Sequence, residues 1–192
     1  MDKTFLNYLT ARGSFTGAEL GQIEALTQVR KLKRRQYLLR EGDVCRYMAF
    51  VVSGSLRLYR TDGDGVEHIL RFATENWWVN DHESFSSQAP AKGAIDALED
   101  SHLLLWSNEN WEKLKQDIPT FNAMQSHLLS RNLEAHVNRL YTAISHTAEE
   151  RYHEFVTAFP GLARRVPLHM IASYLGVARE TLSRIRRQSG EQ

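Results

Sequence analysis

The sequence contains a single cysteine, Cys45, among its 192 residues. One thiol cannot form an intrachain disulfide, and it cannot supply the set of thiolates that an iron–sulfur cluster or a structural zinc site requires within one chain. We therefore expect Cys45 to be a reduced thiol with no role in holding a cofactor.

Long apolar runs are also missing. No window approaches the roughly 18 uncharged residues of a membrane span, and the opening residues, MDKTFLNYLTARG, lack the apolar core of a signal peptide. We therefore expect a cytoplasmic protein that does not enter a membrane.

The motifs of common enzyme classes do not occur in the sequence. There is no Gly-rich phosphate loop, no G-x-S-x-G turn, and no carboxylate pair that the pattern places in one cleft. Asp81-His82-Glu83 contains residue types that ligate metals, but no second histidine lies at a spacing that would complete a site. We expect neither an enzyme nor a metalloprotein.

Positive charge is concentrated near the C-terminal end. The chain has 42% hydrophobic and 24% charged residues, as ordinary globular proteins do, and its formal net charge is only +1. From residue 160 onward, however, the sequence has six arginines and two glutamates, so this part carries a formal charge of +4 and the rest of the chain carries −3. This asymmetry indicates a segment that binds a polyanion, attached to a nearly neutral body.

The first two thirds of the chain show a change from helical to β-type periodicity. Apolar spacing predicts two short helices between residues 3 and about 32, interrupted by Gly13 and Gly17. From residue 36 to about 107 the pattern consists of short β-type runs, namely YLLREGD, YMAFVVSGSLRLYR, VEHILRF and SHLLLW. Asp62-Gly63-Asp64-Gly65 joins two of these runs as a tight hairpin. The pattern predicts an α+β fold with an N-terminal jelly roll or β-roll.

A long amphipathic helix is predicted after the β-type region. Asn108 is a candidate N-cap for a short helix through Lys115, and Pro119 begins the longer helix. Its apolar positions form one stripe with heptad-like steps, which can pack on its own β-domain or pair with a copy of itself. Its length of about seven turns favours pairing. We therefore predict a dimerisation seam made of Leu129, Leu133, Val137, Leu140 and Ile144.

A helix-turn-helix is predicted in the C-terminal part. Thr147 and Glu150 form a capping box that opens another helix, which Pro160-Gly161 closes. In PLHMIASYLGVARETLSRIRRQ, Pro167 suits a first helical turn and Gly176 suits the left-handed residue that ends it. A second helix then covers about 179–188, and its apolar residues pack inward on those of the first. These apolar residues are Ile171, Leu175, Leu182 and Ile185.

The outer face of the second helix carries arginine. At 100° per residue, five polar side chains fall within one arc of about 140°, opposite Leu182 and Ile185. Arginine can donate two hydrogen bonds to guanine in the major groove, and glutamate can accept one from cytosine. The face therefore predicts DNA binding, the alternative being a solvated surface helix. Its members are Arg179, Glu180, Ser183, Arg184 and Arg187.

GVARETLSRIRRQ resembles the recognition helix of the Crp/Fnr family of bacterial regulators. YLLREGD, the strand pair in FVVSGSLRLY and the D-G-D-G hairpin resemble that family's cyclic-nucleotide-binding β-roll, and residues 119–145 resemble its dimerisation helix. The resemblance implies a sensor domain over 1–118, a dimerisation helix over 119–145 and a helix-turn-helix domain over 146–192. It also implies a homodimer that binds double-stranded DNA and works with RNA polymerase.

By the same resemblance, the R-E-x-x-x-R pattern falls on the family's base-reading positions and implies a palindrome with TGTGA-like half-sites. The implied DNA-binding residues are Arg179, Glu180, Thr181, Ser183, Arg184 and Arg187. Ala178 stands where the family has a hydroxyl residue, so an N-cap worth about 1 kcal/mol is missing. The sequence stops soon after this helix, and we therefore expect no complete β-hairpin wing.

The effector positions depart from the family pattern. Cyclic-nucleotide-binding members hold the ribose with Gly-Glu and the cyclic phosphate with Arg-Ser. Asn80-Asp81 and Lys92-Gly93 occupy those places here, and they are the candidate ligand-binding residues. Lysine offers a point charge where arginine offers a two-pronged donor, which argues against ordinary cyclic AMP binding and favours another effector or none. An alternative function, a nucleotide-sensing module that regulates a protein partner, leaves the basic C-terminal face without a purpose.

Overall fold

The computed structural model describes residues 1–188, and these divide into two compact units. The first unit contains Met1–Arg60 and Arg71–Ser130. The second contains Thr61–Leu70 and the described residues from Arg131 onward. The expectation that a complete wing is missing concerns the residues after the last helix, and of these 189–192 lie outside the described residues.

Two short helices begin the first unit, as the sequence predicts. They are α1 (Lys3–Thr10) and α2 (Gly17–Ala25). The Asp2 carboxylate caps α1 by accepting a hydrogen bond from the Thr4 backbone N–H at 2.8 Å. Thr16 and Glu19 form a capping box at the start of α2. Both helix starts therefore have side chains that satisfy free backbone donors.

The helical prediction up to residue 32 is wrong in its last part, because Gln28–Leu32 forms strand β1. Val29 is 64% exposed and Leu32 is 3% exposed, which is the uneven burial of a strand at a sheet edge. The pairing that fixes β1 is antiparallel to a strand more than 70 residues away, with Val29 opposite Leu104. Local spacing carries no information about such a partner.

Two four-stranded sheets form the β-roll. After β1, the elements are β2 (Tyr37–Leu39), β3 (Tyr47–Ser53), β4 (Leu56–Thr61), β5 (Glu67–Ala73), β6 (Trp78–Val79), α3 (His82–Ser87), β7 (Ala94–Ala97) and β8 (Ser101–Ser107). The strand orders of the two sheets are β1-β8-β3-β6 and β2-β7-β4-β5. The predicted runs correspond to β2, β3, β4, β5 and β8, whereas the short strands β6 and β7 and the helix α3 between them were not predicted.

Aromatic side chains fill the core of the first unit. Trp78 lies 5.3 Å from Trp106 and 5.1 Å from Trp111, measured between ring centroids. Its indole N–H donates to the Tyr8 hydroxyl at 2.8 Å, so the buried ring keeps a polar partner. Phe5 joins the cluster at 5.1 Å from Trp106. This cluster binds the N-terminal helix to the β-roll.

The long helix follows the β-roll as predicted, although the cap of the short helix before it differs. Helix α4 (Asn108–Asp117) is capped by Ser107, whose hydroxyl accepts from the Asn110 N–H at 3.2 Å, so Asn108 is the first helical residue and not the cap. Helix α5 (Pro119–Ser145) begins at the predicted proline and has 27 residues. None of the helices in residues 1–188 combines the length and apolar character of a membrane span.

The second unit contains the tip of the β4–β5 hairpin, the later part of α5 and four more helices. The bounds are α6 (Ala148–Ala158), α7 (Pro160–Arg165), α8 (Leu168–Leu175) and α9 (Arg179–Gln188). Thr147 and Glu150 form the predicted capping box of α6. Helix α6 ends just before Pro160, as predicted, and Pro160 also begins the separate helix α7, which was not predicted, because proline suits a first helical turn. The predicted α+β architecture, with a β-roll and C-terminal helices, is confirmed.

Candidate nucleic-acid interface

Helices α8 and α9 form the helix-turn-helix around an apolar centre. Gly176 ends α8 with φ 66°, and its N–H reaches the Ala172 and Ser173 carbonyls. This is the left-handed backbone that glycine adopts at low cost. Four apolar side chains pack between the two helices, and each is at most 9% exposed: Ile171, Leu175, Leu182 and Ile185. The predicted inward face is therefore present.

Arg151 of helix α6 caps the C-terminus of α8, which sequence reasoning missed. Its Nη1 donates to the Leu175 carbonyl at 2.7 Å. The carbonyls at a helix C-terminus lack partners within the helix and carry partial negative charge, so a guanidinium there stabilises the turn. The sequence signal was weak, because Arg151 lies 24 residues before its partner.

The predicted reading face of α9 points outward. Arg179, Glu180, Arg184 and Arg187 are exposed, and Thr181 and Ser183 are half-buried. The Arg187 Nε donates to the Ser183 carbonyl one turn earlier at 3.4 Å. Three guanidinium groups with one carboxylate therefore share a solvent-facing surface, opposite the buried Leu182 and Ile185. We call this surface, residues 179, 180, 183, 184 and 187, the arginine face.

The start of α9 lacks a side-chain cap at Ala178, as its sequence implies. The Ala178 carbonyl accepts the first helical hydrogen bond, from the Leu182 N–H, at 3.1 Å. The methyl side chain offers no acceptor for the free amides of the first turn. Free amides at the N-terminus of a helix favour binding of an anion such as a phosphate group.

The predicted seam on α5 is an exposed apolar stripe. Leu129 is 56% exposed and Ile144 is 79% exposed, and the residues between them on the stripe are similar: Leu133 64%, Val137 57% and Leu140 62%. Tyr141, at 65%, extends the same surface and was not predicted. A contiguous run of large exposed apolar side chains is typical of an interaction surface.

The four candidate effector residues lie in the first unit, and the two charged ones, Asp81 and Lys92, contact neighbouring residues. The Asp81 carboxylate caps α3 by accepting from the Ser84 N–H at 3.0 Å. The exposed Lys92 ammonium pairs with Glu83 at 2.5 Å. Both charged groups are therefore engaged by neighbours in the same unit.

Asn80 and Gly93 complete the comparison with a cyclic-nucleotide site. The Asn80 Nδ2 is buried and has no hydrogen-bond partner among residues 1–188. A Cβ at Gly93 would lie 2.7 Å from the Tyr59 carbonyl oxygen, so the serine of the family pattern does not fit this position. With Asp81 used as a cap, Lys92 paired with Glu83 and no room for a side chain at Gly93, the residues present do not fit a cyclic nucleotide held in the family's way.

The sheet β2-β7-β4-β5 contains a buried ion pair that was not predicted. Arg57 Nε donates to Asp96 Oδ1 at 2.8 Å, and Nη2 donates to Oδ2 at 3.2 Å. The guanidinium also lies 4.2 Å above the Tyr59 ring. Both charged side chains are only 9% exposed, so this ion pair lies out of contact with most solvent. Among the described residues, no group of three His, Cys, Asp or Glu side chains is arranged to hold a metal ion.

Residues 29–117 match the family model described as the cyclic nucleotide-binding domain. The transcriptional activator protein Anr of Pseudomonas aeruginosa is 26% identical over 177 residues, which cover 84% of this chain and 70% of Anr.

Among solved structures, FixK2 from Bradyrhizobium japonicum superposes with a TM-score of 0.72 at 20% identity, over 84% of this chain and 83% of FixK2. The c-di-GMP-responsive global regulator CLP of Xanthomonas campestris superposes with a TM-score of 0.73 at 17% identity, over 91% of this chain and 92% of CLP. These structural matches agree with the β-roll followed by a helix-turn-helix. Together with the sequence relatives, which are transcriptional activators, they support the resemblance of the recognition helix and the β-roll to the Crp/Fnr family of transcription regulators.

Proposed function

We propose that the chain binds a palindromic DNA site as a homodimer and regulates transcription from it. The observation that carries the proposal is the arginine face of α9, which is exposed while the opposite side of the helix is buried in the core of the helix-turn-helix. A helix anchored in this manner can enter a major groove with its polar side toward the bases.

The chemistry of the arginine face supports base reading in addition to phosphate binding. An arginine can donate two parallel hydrogen bonds to O6 and N7 of guanine, and a glutamate can accept from N4 of cytosine. Arg179 and Glu180 are adjacent at the start of α9, and Arg184 follows one turn later on the same side. In recognition helices the N-terminal residues are those that contact base edges.

The apolar stripe on α5 supports a symmetric dimer. Two copies that pair through this stripe bury the same surface on each partner, as a two-fold interface requires. Two-fold symmetry in the protein calls for a palindrome, with half-site centres about 34 Å apart. We also propose that the three sequence-defined parts, 1–118, 119–145 and 146–192, act as sensor, dimerisation helix and DNA-binding domain.

The remaining parts of the proposal follow from a role on DNA. Activators of this kind work by contacting RNA polymerase, which we propose as a partner. A regulator acts where the chromosome is, so we propose a cytoplasmic location. The alternative of a sensing module that acts on a protein partner is not favoured, because the relatives of known role are transcriptional activators.

Selection from a randomised duplex library, with the purified chain as bait, tests the proposal directly. We expect an enriched inverted repeat with TGTGA-like arms. A purified dimeric protein that enriches no sequence, and binds no duplex even at low salt where phosphate contacts are strongest, would refute the proposal.

Substitution of Arg179 tests the assignment of base-reading residues. We expect Arg179→Ala to weaken binding to the selected site by about 1–3 kcal/mol and to relax the choice of one base. Arg164→Ala is the matched control, since Arg164 is an exposed arginine on α7 and lies outside the arginine face. If Arg179→Ala weakened binding to the selected site and to random DNA equally, Arg179 would be a phosphate contact and the base assignment would be wrong.

A further inference from the structure

The tip of the β4–β5 hairpin, residues 61–70, has an internally bonded shape. The Asp62 Oδ1 accepts from the Asp64 N–H at 3.0 Å and from the Val66 N–H at 2.9 Å. The Asp62 Oδ2 lies 2.6 Å from the His68 Nε2. Gly65 takes φ 82°, and its N–H donates to the Asp62 carbonyl at 3.0 Å. One carboxylate therefore organises the whole turn.

Ser173 of α8 bonds to the backbone of this hairpin tip through its hydroxyl. The Oγ accepts from the Ile69 N–H at 3.0 Å and donates to the Glu67 carbonyl at 2.9 Å. A strand at a sheet edge has free amides and carbonyls, and here one hydroxyl satisfies one of each. The first helix of the helix-turn-helix is thus held at the edge of β5.

Arg139 of α5 makes the second link between the hairpin tip and α8. Its Nη2 donates to the Tyr174 carbonyl at 2.7 Å and to the Ile69 carbonyl at 3.4 Å, and its Nη1 donates to the Leu70 carbonyl. The guanidinium carbon lies 3.9 Å above the Tyr174 ring, and burial lowers the pKa of Arg139. A group with this many directed contacts fixes three chain segments relative to each other.

The contacts of Ser173 and Arg139 leave the arginine face uncovered. Both bond at the C-terminal half of α8, whereas Arg179 and Arg184 are exposed on α9. The hairpin therefore restrains the helix-turn-helix without blocking the surface proposed to read DNA. Such a restraint favours binding when two recognition helices must contact two half-sites at once. Helices that are already oriented lose less conformational freedom on binding.

We propose that Ser173 and Arg139 are positioning residues for DNA binding, which hold α8 on the hairpin tip so that α9 is preoriented for a two-half-site palindrome. This inference rests on the proposed function. The proposal distinguishes two quantities. The affinity for one half-site depends on the arginine face alone, whereas the additional affinity from a second half-site depends on the orientation of α9.

Ser173→Ala is the main test, with Ser173→Thr as the rescue variant and Ser126→Ala as the matched control. Binding is measured by fluorescence anisotropy on a full palindrome and on a duplex with a single half-site. We expect Ser173→Ala to lose about tenfold in affinity for the palindrome, which corresponds to about 1.4 kcal/mol, and to bind the half-site within about twofold of wild type. Ser173→Thr keeps the hydroxyl and is expected to behave as wild type.

Arg139→Gln provides an independent variant, with Arg131→Gln on the same helix as its control, and we expect the same selective loss for the palindrome. Equal losses on both duplexes would show damage to the helix-turn-helix itself and would overturn the positioning role. Unchanged palindrome binding would overturn it also, and so would tighter binding, which would identify the contact as an inhibitory one.

Amide hydrogen exchange tests the contact without DNA. The Ile69 N–H donates to the Ser173 hydroxyl, so we expect this amide to lose protection in Ser173→Ala and to keep it in Ser126→Ala. If wild type bound no duplex at all, the proposed function would fail, while the exchange result would still report on the hairpin contact. Unchanged protection of Ile69 in Ser173→Ala would refute the contact itself.

Discussion

Truncation of Leu133 on the α5 stripe is expected to weaken the dimer strongly. Burial of a whole leucine side chain is worth about 1.5–3 kcal/mol, and 64% of Leu133 is exposed in the single chain. Both copies contribute Leu133, so complete burial of its exposed fraction on both copies stabilises the dimer by roughly 2–4 kcal/mol. With about 1.4 kcal/mol for each tenfold change, Leu133→Ala should raise the dimer Kd at least about 20-fold.

Sedimentation equilibrium over a range of protein concentrations measures this Kd. Glu134→Ala is the matched control, since Glu134 is the exposed neighbour of Leu133 and lies off the stripe. Leu140→Ala, at a residue 62% exposed one heptad later, should have a similar effect. A dimer whose Kd does not change in either variant would show that the stripe is not the seam, and the assignment of 119–145 as the dimerisation helix would fall with it.

Three further predictions concern stability and reactivity. Asp96→Ala removes a carboxylate that accepts two hydrogen bonds from the buried Arg57 guanidinium, so the free energy of unfolding in urea should fall by about 3–5 kcal/mol, against a smaller loss for Asp96→Asn; equal stability of Asp96→Ala and wild type would contradict the buried pair. Burial raises the pKa of the Cys45 thiol above its ordinary value, so its contribution to stability is present below that ordinary pKa and is lost as the pH rises through the native pKa. Mass spectrometry should accordingly find slow alkylation by iodoacetamide in the native protein and fast alkylation in urea, and equal rates would be inconsistent with burial. Gly176→Ala places a side chain at φ 66°, beside Arg151, and should cost about 1–2 kcal/mol in a denaturation curve followed by circular dichroism; an unchanged curve would argue against the left-handed turn.

The helix-turn-helix could be predicted closely from sequence because its determinants are local. Gly176 at the end of one helix, and the three-residue spacing of Leu182 and Ile185 in the next, are set by backbone geometry within about four turns. The capping box at Thr147 was found for the same reason. Where residues close in sequence determine the structure, the sequence was sufficient to predict it.

Elements fixed by distant partners were the ones missed. The sequence of strand β1 resembles the end of a helical region, but the segment is a strand because it pairs with β8 at Leu104. Strand β7 likewise pairs with β2 on one side and β4 on the other. The hydroxyl of Ser173 is unremarkable in sequence, since the backbone it bonds at Glu67 lies 106 residues away. These residues acquire their roles from chain topology, which single-sequence periodicity does not contain.

Asn108 and Pro160 show a third case, in which one local signal serves two neighbouring positions or elements. Ser107 and Asn108 are both good caps, and helix α4 begins one residue earlier than a cap at Asn108 would require. At Pro160 the sequence signal for a helix end is also the signal for a helix start, and the structure uses it as the start of α7. Boundaries shift by a residue where two neighbouring residues serve equally well.

The aromatic core described above has a practical consequence for spectroscopy. All four tryptophans of the chain, at positions 77, 78, 106 and 111, lie in the first compact unit. Intrinsic indole emission therefore follows unfolding of the β-roll side alone, while far-ultraviolet ellipticity also includes the helices of the second unit. Melting curves recorded by the two signals on one sample would coincide if the halves unfold together, and they would separate if the DNA-binding half loosens first.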